Sequence, residues 1–150
     1  MKKKLIALFL MILFMISASG CALFASSKPF YKDPDGIVVY LRDSNHKYLY
    51  EYGNPYGYND ESKIPLLSRE ESYIVEVDFF NAGDSIIIKD YISFVYEEEK
   101  LEIIDLNHHG EFILRILEDF EETTVVVGYE NDLYSFSCDV LIKMQPNEVI

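Results

Sequence analysis

The chain has 150 residues and is strongly acidic, with 26 aspartate and glutamate residues against 13 lysine and arginine residues and a formal net charge of −13. A surface of this sign repels nucleic-acid phosphates and anionic lipid headgroups, so we expect no nucleic-acid partner. The length suits one domain with a substantial apolar core.

The N-terminus has the layout of a secretory signal peptide. Three lysines at positions 2–4 precede an apolar run at residues 5–16, and the small residues Ala18, Ser19 and Gly20 follow. A membrane-spanning helix needs about 20 apolar residues, and the small polar residues interrupt this run where a cleavage site is expected. The pattern therefore predicts a signal peptide that is cleaved, not an anchor that stays in the membrane.

The four residues that end at Cys21, Ala-Ser-Gly-Cys, resemble the lipobox of bacterial lipoproteins. In that family cleavage falls just before the cysteine, whose thiol carries a diacylglycerol. The resemblance implies a signal peptide over residues 1–20 and a lipidated Cys21. The residues that follow, with Pro29 and Pro34, predict a tether over residues 21–35, and the remaining length predicts a single domain over residues 36–150. The resemblance also implies that the lipid holds the protein on the extracytoplasmic face of the cell membrane, or on the outer membrane if the cell has two.

Cys138 is the only other cysteine, so the mature chain has no intramolecular disulfide and depends on its apolar core. It lies within residues 134–142, where every second side chain is apolar or aromatic. This period of two is typical of a half-buried strand. The pattern predicts a buried thiol that behaves as a small apolar group.

Alternation at period two organises the first half of the domain. High β-propensity at residues 37–42, turn residues at 43–45 and a second strand at residues 46–52 predict a β-hairpin. Residues 53–65 are rich in turn formers and predict a loop. In residues 73–79, apolar and acidic side chains alternate and give the clearest half-buried strand of the chain.

The second half continues the same pattern. Strands are predicted at residues 92–96, 101–106, 123–129 and 133–143, with turn residues between them. Strands that recur about every ten residues are typical of a sandwich or barrel. Residues 111–122 fit either a strand or a helix, and we favour the strand because the acidic residues near the C-terminal end would oppose a helix macrodipole.

Two stretches point to a particular kind of sandwich. Residues 75–84, Val-Glu-Val-Asp-Phe-Phe-Asn-Ala-Gly-Asp, look like the strand and Asn-x-Gly-Asp turn of immunoglobulin-like domains in small bacterial lipoproteins. Residues 132–138 resemble the Asp…Tyr-x-Cys stretch of immunoglobulin-like domains, with Phe136 in place of the corner tyrosine. The resemblance implies an all-β, immunoglobulin-like antiparallel β-sandwich, and such a fold implies no particular chemistry.

Five tyrosines form the strongest candidate contact surface. Tyr48, Tyr50 and Tyr52 are predicted to share one face of the second strand, and Tyr56 and Tyr58 follow in the next loop. Tyrosine is amphipathic and enriched at interfaces. The tyrosines therefore predict a surface for an envelope protein or a glycan, and the alternative is that they pack on the sandwich.

A metal site is the main alternative function. His108 and His109 lie in a predicted turn beside Asp105 and Glu111, and His46 is a candidate third ligand. Imidazole and carboxylate groups bind transition metals. Adjacent residues of a strand point to opposite faces, so the two histidines can share an ion only in a turn. The competing interpretation is that both are solvated loop residues.

Acidic side chains offer two further possibilities. The turns at residues 33–36, 43–45 and 60–61 carry oxygen ligands of the kind that calcium prefers, although turn formation alone also explains them. The acidic runs at residues 97–99 and 118–122 have the residue type that a hydrolase needs as paired carboxylates. Glutamates in solvated turns have no source of the pKa separation that such catalysis requires, so we favour a solvated surface.

Common enzyme motifs are missing from the sequence, among them the glycine-rich phosphate loop and the Gly-x-Ser-x-Gly elbow. We therefore expect neither an enzyme nor a bound cofactor. The favoured function is a lipid-anchored binding module, which contacts the membrane through Cys21 and an envelope protein or glycan through its tyrosines. A metal- or calcium-binding envelope protein is the alternative.

Overall fold

The computed structural model describes residues 29–57 and 60–146. The predicted signal peptide, the predicted lipidation site Cys21 and most of the predicted tether lie outside the described residues, as does Tyr58. The helices of this part are the short 3-10 helices Glu61–Lys63 and Lys89–Tyr91, and neither is long and apolar enough to cross a membrane. The described residues also form nine strands: β1 (Gly36–Asp43), β2 (Tyr48–Tyr52), β3 (Leu66–Leu67), β4 (Ser72–Phe80), β5 (Ile92–Val95), β6 (Leu101–Asp105), β7 (Glu111–Ile116), β8 (Glu122–Glu130) and β9 (Ser135–Met144).

The strands form two sheets that pack face to face. One sheet has five strands in the order β2-β1-β4-β7-β6, and the other has four in the order β3-β9-β8-β5. All pairs are antiparallel except β3 with β9. With β1, β4, β7 and β6 as strands A, B, E and D, and β5, β8 and β9 as C, F and G, this is the strand order of a constant-type immunoglobulin sandwich. The predicted all-β sandwich is confirmed, and β2 is an additional edge strand.

The core lies between the sheets and follows from the alternating pattern. In β8 every second residue from Thr123 to Tyr129 is buried and faces the other sheet. Leu114 of β7 is fully buried in the same cluster. Among the described residues, no buried side-chain nitrogen or oxygen atom lacks a hydrogen-bond partner. The buried Thr123 hydroxyl, for example, donates to the Glu97 carboxylate at 2.7 Å.

The ambiguous segment at residues 111–122 is a strand followed by a bend. β7 pairs with β4 along one edge and with β6 along the other. Its Phe112, Leu114 and Ile116 side chains are buried, and β8 begins at Glu122. The strand interpretation is confirmed over β7. The helical alternative is wrong because pairing on both edges requires extended backbone.

Two connections carry the chain from one sheet to the other. The predicted loop at residues 53–65 leads into β3, which the sequence pattern does not predict because two residues show no periodicity. β3 exists because Leu67 is buried and pairs with Met144 of β9. The predicted turn at residues 97–100 carries the chain from β5 in one sheet to β6 in the other.

The segment before β1 docks on one end of the sandwich. The Phe30 amide donates to the Asp84 carboxylate at 2.6 Å. The Tyr134 hydroxyl, in the turn between β8 and β9, donates to the Asp33 carboxylate at 2.5 Å. The chain therefore enters the domain at the end that carries this turn.

Candidate functional site

An irregularity in β2 divides the predicted tyrosine stripe. Tyr50 and Tyr52 pair with buried residues of β1 and pack against the core. The register shifts between Leu41 and Arg42, which sets Tyr48 opposite Arg42. A bulge of this kind re-aims side chains along a strand. Tyr48 is 52% exposed, so the three tyrosines do not share one surface.

Tyr52 is a core residue. It is 5% exposed, and its ring packs edge-on against Tyr50 with 4.7 Å between the ring centroids. Its hydroxyl donates to the Leu141 carbonyl oxygen of β9 at 2.8 Å. Burial raises the pKa of the Tyr52 phenol. Tyr52 therefore packs inside the sandwich, which was the alternative to a contact surface, and a partner surface would have to form without it.

We expect Tyr52→Phe to lower the free energy of unfolding by about 1 kcal/mol at neutral pH, because one buried hydrogen bond is lost. The raised pKa means that the folded state holds the phenolic proton more tightly than the unfolded state, where the pKa is about 10. This stabilisation is fully present below pH of about 10 and is lost as pH rises towards the folded-state pKa. The difference between wild type and Tyr52→Phe should therefore shrink between pH of about 8 and about 11 in urea unfolding.

The exposed Tyr56 provides the matched control for this measurement. Tyr56 is 83% exposed, so Tyr56→Phe should leave the free energy of unfolding unchanged at both pH values. A wild-type minus Tyr52→Phe difference that stays constant with pH would contradict the burial of this phenol.

A groove of about 490 Å³ opens at the margin where β2 of one sheet faces β9 of the other. The half-buried Tyr50 ring forms part of its wall, with Glu61 and Ile64 from the segment before β3. Ser137 and Asp139 of β9 also line it. Among the predicted tyrosines that the structure describes, Tyr50 is thus half-buried and lines a groove that a partner could enter.

A glycine allows the two sheets to approach closely at this groove. Gly53 has a φ of 82°, in the left-handed region that favours glycine. A Cβ atom there would lie 2.8 Å from the Cys138 Sγ atom. Cys138 is buried as predicted, and burial raises the pKa of its thiol to about 11. The thiol is therefore protonated at neutral pH and contributes an apolar surface.

Negative groups border the groove. The carboxylates of Glu61 and Asp139 belong to exposed residues. The Tyr50 hydroxyl donates to the Asp60 carbonyl oxygen at 3.3 Å, and hydrogen bonds from Ser62 lower the pKa of the Asp60 carboxyl. The groove therefore offers an aromatic ring beside an acidic rim, which suits a partner with cationic and apolar groups.

Tyr56 does not line this groove. Its ring lies against Phe80 at the end of β4, with 5.7 Å between the centroids, and its amide donates to the Asn54 side chain at 2.9 Å. Tyr58 lies outside the described residues. The structure therefore brings Tyr50 and Tyr52 together and places Tyr48 and Tyr56 elsewhere.

His108 and His109 occupy the predicted turn, and both are exposed. The His109 amide donates to the Asn107 side chain at 2.9 Å, which shapes the turn. His46 Nδ1 lies 3.9 Å from a Glu111 carboxylate oxygen. Within residues 29–57 and 60–146, no group of three or more histidine, cysteine, aspartate or glutamate side chains could hold a metal ion. The metal alternative therefore gains no support from this part of the chain.

The candidate calcium ligands serve the turns in which they lie. The Asp43 carboxylate accepts from the amides of Asn45 and Lys47 at 2.8 and 2.9 Å. Asp35 lies 3.6 Å from the Lys32 ammonium group. These carboxylates therefore have hydrogen-bond or ion-pair partners within their own turns, as expected if they serve to form the turns.

The first acidic run stabilises a crossing between the sheets. Glu97 accepts from the buried Thr123 hydroxyl at 2.7 Å and lies 2.7 Å from the Lys100 ammonium group. Hydrogen bonds from Lys100 and Thr123 lower the pKa of the Glu97 carboxyl. A general acid needs the opposite shift, so this contact favours a structural role for Glu97.

Sequence reasoning missed the β9 side of the groove. Ser137 and Asp139 alternate with buried residues as on any half-buried strand, and only the tertiary fold sets them beside β2. Comparisons with protein-family models, with curated proteins and with solved structures find no match to the chain. The groove and the N-terminal pattern are the features of this chain that bear on its function.

Proposed function

We propose that this chain is an extracytoplasmic lipoprotein, anchored through Cys21, that acts as a binding module through the groove between β2 and β9. The observation that carries the binding function is the groove itself, where the Tyr50 ring lies beside exposed carboxylates. Concave sites with an apolar wall and a few polar groups are typical of ligand binding. The partner is an envelope protein or a glycan, and the module is not an enzyme.

The N-terminal pattern supports the anchor. Three lysines, an apolar run and the Ala-Ser-Gly-Cys sequence occur in the order that lipoprotein processing requires. Residues 22–29, the part of the predicted tether that precedes the docked Phe30, span at most about 28 Å when extended. The anchored domain is then held near the membrane, within reach of other envelope components.

Metabolic labelling with an alkyne fatty acid in a bacterial host tests the anchor. The wild-type chain should carry the label and sediment with membranes, and Cys21→Ser should lose both properties. Cys138→Ser is the matched control and should keep both, because this thiol is buried in the sandwich. Label that persists in Cys21→Ser would contradict lipidation at this position.

Site-specific photo-crosslinking in cells tests the groove. A crosslinker at Asp139, on the groove, should give an adduct of discrete mass, and one at Asp90, on the opposite margin, should not. Tyr50→Ala should reduce the adduct about tenfold, because a central aromatic residue dominates many interfaces. The exposed Tyr56→Ala should leave it unchanged, and thermal melts confirm that both variants fold. Equal adducts from both positions, or an adduct that Tyr50→Ala does not change, would overturn this site.

A further inference from the structure

Within the part of the chain that the structure describes, β9 has a long edge without a strand partner. Along one edge it pairs with β8 over residues 135–143. Along the other edge its partner in the described domain is β3, at Lys143 and Met144. Among the described residues, positions 135–142 therefore have no strand on this edge, and part of this stretch lines the groove. An unpaired row of backbone groups is a template for another strand.

The backbone groups that point to this edge can be identified from contacts at its C-terminal part. The Leu141 carbonyl oxygen faces Tyr52, and the Gln145 amide donates to Leu67 of β3 at 3.0 Å. In an antiparallel strand the N–H and C=O of every second residue point to the same edge. The register of β9 with β8 is regular throughout, so Ser137 and Asp139 present their N–H and C=O groups to the groove.

The unpaired edge beside residues 135–142 is the place that β3 would occupy if the strand began earlier in the chain. The residues before β3 form the 3-10 helix Glu61–Lys63 and include Pro65, which has no N–H to donate. β3 therefore extends no further along β9. The open row lies opposite β2, where Tyr50 lines the groove.

The other sheet edges of the described domain are shorter or protected. The edge strand β5 is only four residues long. The edge strand β6 is five residues long, and its last residue, Asp105, forms an ion pair of 2.9 Å with Lys89. β2 carries the bulge that sets Tyr48 opposite Arg42. Short edges, charges and bulges are the usual protections against strand addition. The stretch at residues 135–142 has a greater length without a strand partner.

We propose that the groove binds an extended segment of a basic partner protein, which adds to the free edge of β9 as a further strand. This inference rests on the proposed function and identifies the partner's chemistry. Backbone hydrogen bonds to Ser137 and Asp139 supply the pairing, and apolar side chains of the segment pack on Tyr50, as in other cases of strand addition.

Charge favours a basic segment over a second copy of this chain. Glu61 and Asp139 border the groove, and the chain has a net charge of −13. Lysine or arginine side chains on the solvent side of an added strand would lie near these carboxylates. Two copies that paired through β9 would instead set Asp139 near its own equivalent, which is unfavourable.

The test uses the full chain, purified from membranes in detergent, and a capped peptide of eight alternating lysine and valine residues. Fluorescence polarisation measures its Kd. Hydrogen exchange should slow in the β9 fragment when the peptide binds and stay unchanged in the β5 fragment. A peptide with glutamate in place of lysine should bind at least about tenfold more weakly.

N-methylation of the peptide tests the backbone pairing. One peptide is methylated at every valine and another at every lysine, so each removes the N–H donors from one edge only. Only one of the two should lose affinity, by about tenfold or more, because an added strand uses a single edge. If both bind like the parent peptide, strand addition is wrong.

Charge reversal tests the role of the acidic rim. Asp139→Lys should weaken binding of the lysine peptide and strengthen binding of the glutamate peptide. Asp90→Lys, which changes the net charge equally on the opposite margin, should have a much smaller effect. Equal effects of the two variants would mean that the peptide responds only to overall charge, and would overturn the proposed site.

The outcomes separate this inference from the proposed function. A Tyr50-dependent adduct at Asp139, together with equal binding of both N-methylated peptides, would keep the groove as a binding site and remove strand addition. Protection of the β9 fragment that grows with protein concentration, without peptide, would indicate a second copy as the occupant and would also overturn the inference. Loss of the adduct and of peptide binding together would remove both proposals.

Discussion

Replacing Gly53 by alanine is expected to lower the free energy of unfolding by about 3 kcal/mol. The φ of 82° at this position is costly for a residue with a side chain, at about 1–2 kcal/mol. The added Cβ atom would also lie 2.8 Å from the Cys138 Sγ atom and 2.8 Å from the Ile37 carbonyl oxygen. The carbonyl oxygen belongs to β1 and cannot move without disturbing the sheet. Urea unfolding of the variant measures the loss.

Two variants control this prediction. Gly36→Ala should change stability by no more than about 0.5 kcal/mol, because no described atom beyond its two chain neighbours lies within 4 Å of the added Cβ. Combining Gly53→Ala with Cys138→Ala should cost about 1 kcal/mol less than the sum of the single changes, since the sulfur contact is removed. Equal effects of Gly36→Ala and Gly53→Ala would contradict the close approach of β2 to β9.

Leu114→Ala is the second change with a large expected effect, a loss of about 2–5 kcal/mol in the free energy of unfolding. Leu114 is fully buried on β7, which pairs with β4 and β6 on its two edges. Truncation there removes apolar contacts and leaves a cavity that strands paired on both sides cannot collapse to fill. Urea or thermal unfolding of the variant provides the measurement.

An exposed leucine in the same chain is the matched control. Leu133 lies in the turn between β8 and β9 and is 79% exposed. Leu133→Ala should change the free energy of unfolding by no more than about 0.5 kcal/mol. A loss at Leu114 no larger than that at Leu133 would mean that β7 does not lie at the centre of the core.

The strands of the sandwich could be predicted because their side chains alternate. The expectation of a strand at residues 73–79 matches β4, and the expectation at residues 123–129 matches β8. At residues 111–122 the sequence fitted both a helix and a strand, because apolar residues occurred at both spacings. Pairing of β7 with β4 and β6 decided between them.

The candidate site was predicted only in part. The tyrosine content of residues 48–58 predicted a contact surface at β2, and Tyr50 does line a groove there. The burial of Tyr52 and the separation of Tyr48 depend on a bulge and on contact with Leu141, and neither leaves a pattern in the local sequence. The β9 side of the groove has no signal of its own, since Ser137 alternates like a residue of any half-buried strand.

The sequence by itself determined the position of most strands, the burial of Cys138 and the acidic character of the surface, because these depend on local alternation and composition. It also supplies the N-terminal pattern on which the proposed anchor rests. The tertiary structure alone decided which strands share a sheet, where β3 stops and which tyrosine borders a groove. These features arise from pairing between residues far apart in the chain, such as Tyr52 with Leu141, and local propensity carries no information about such distant partners.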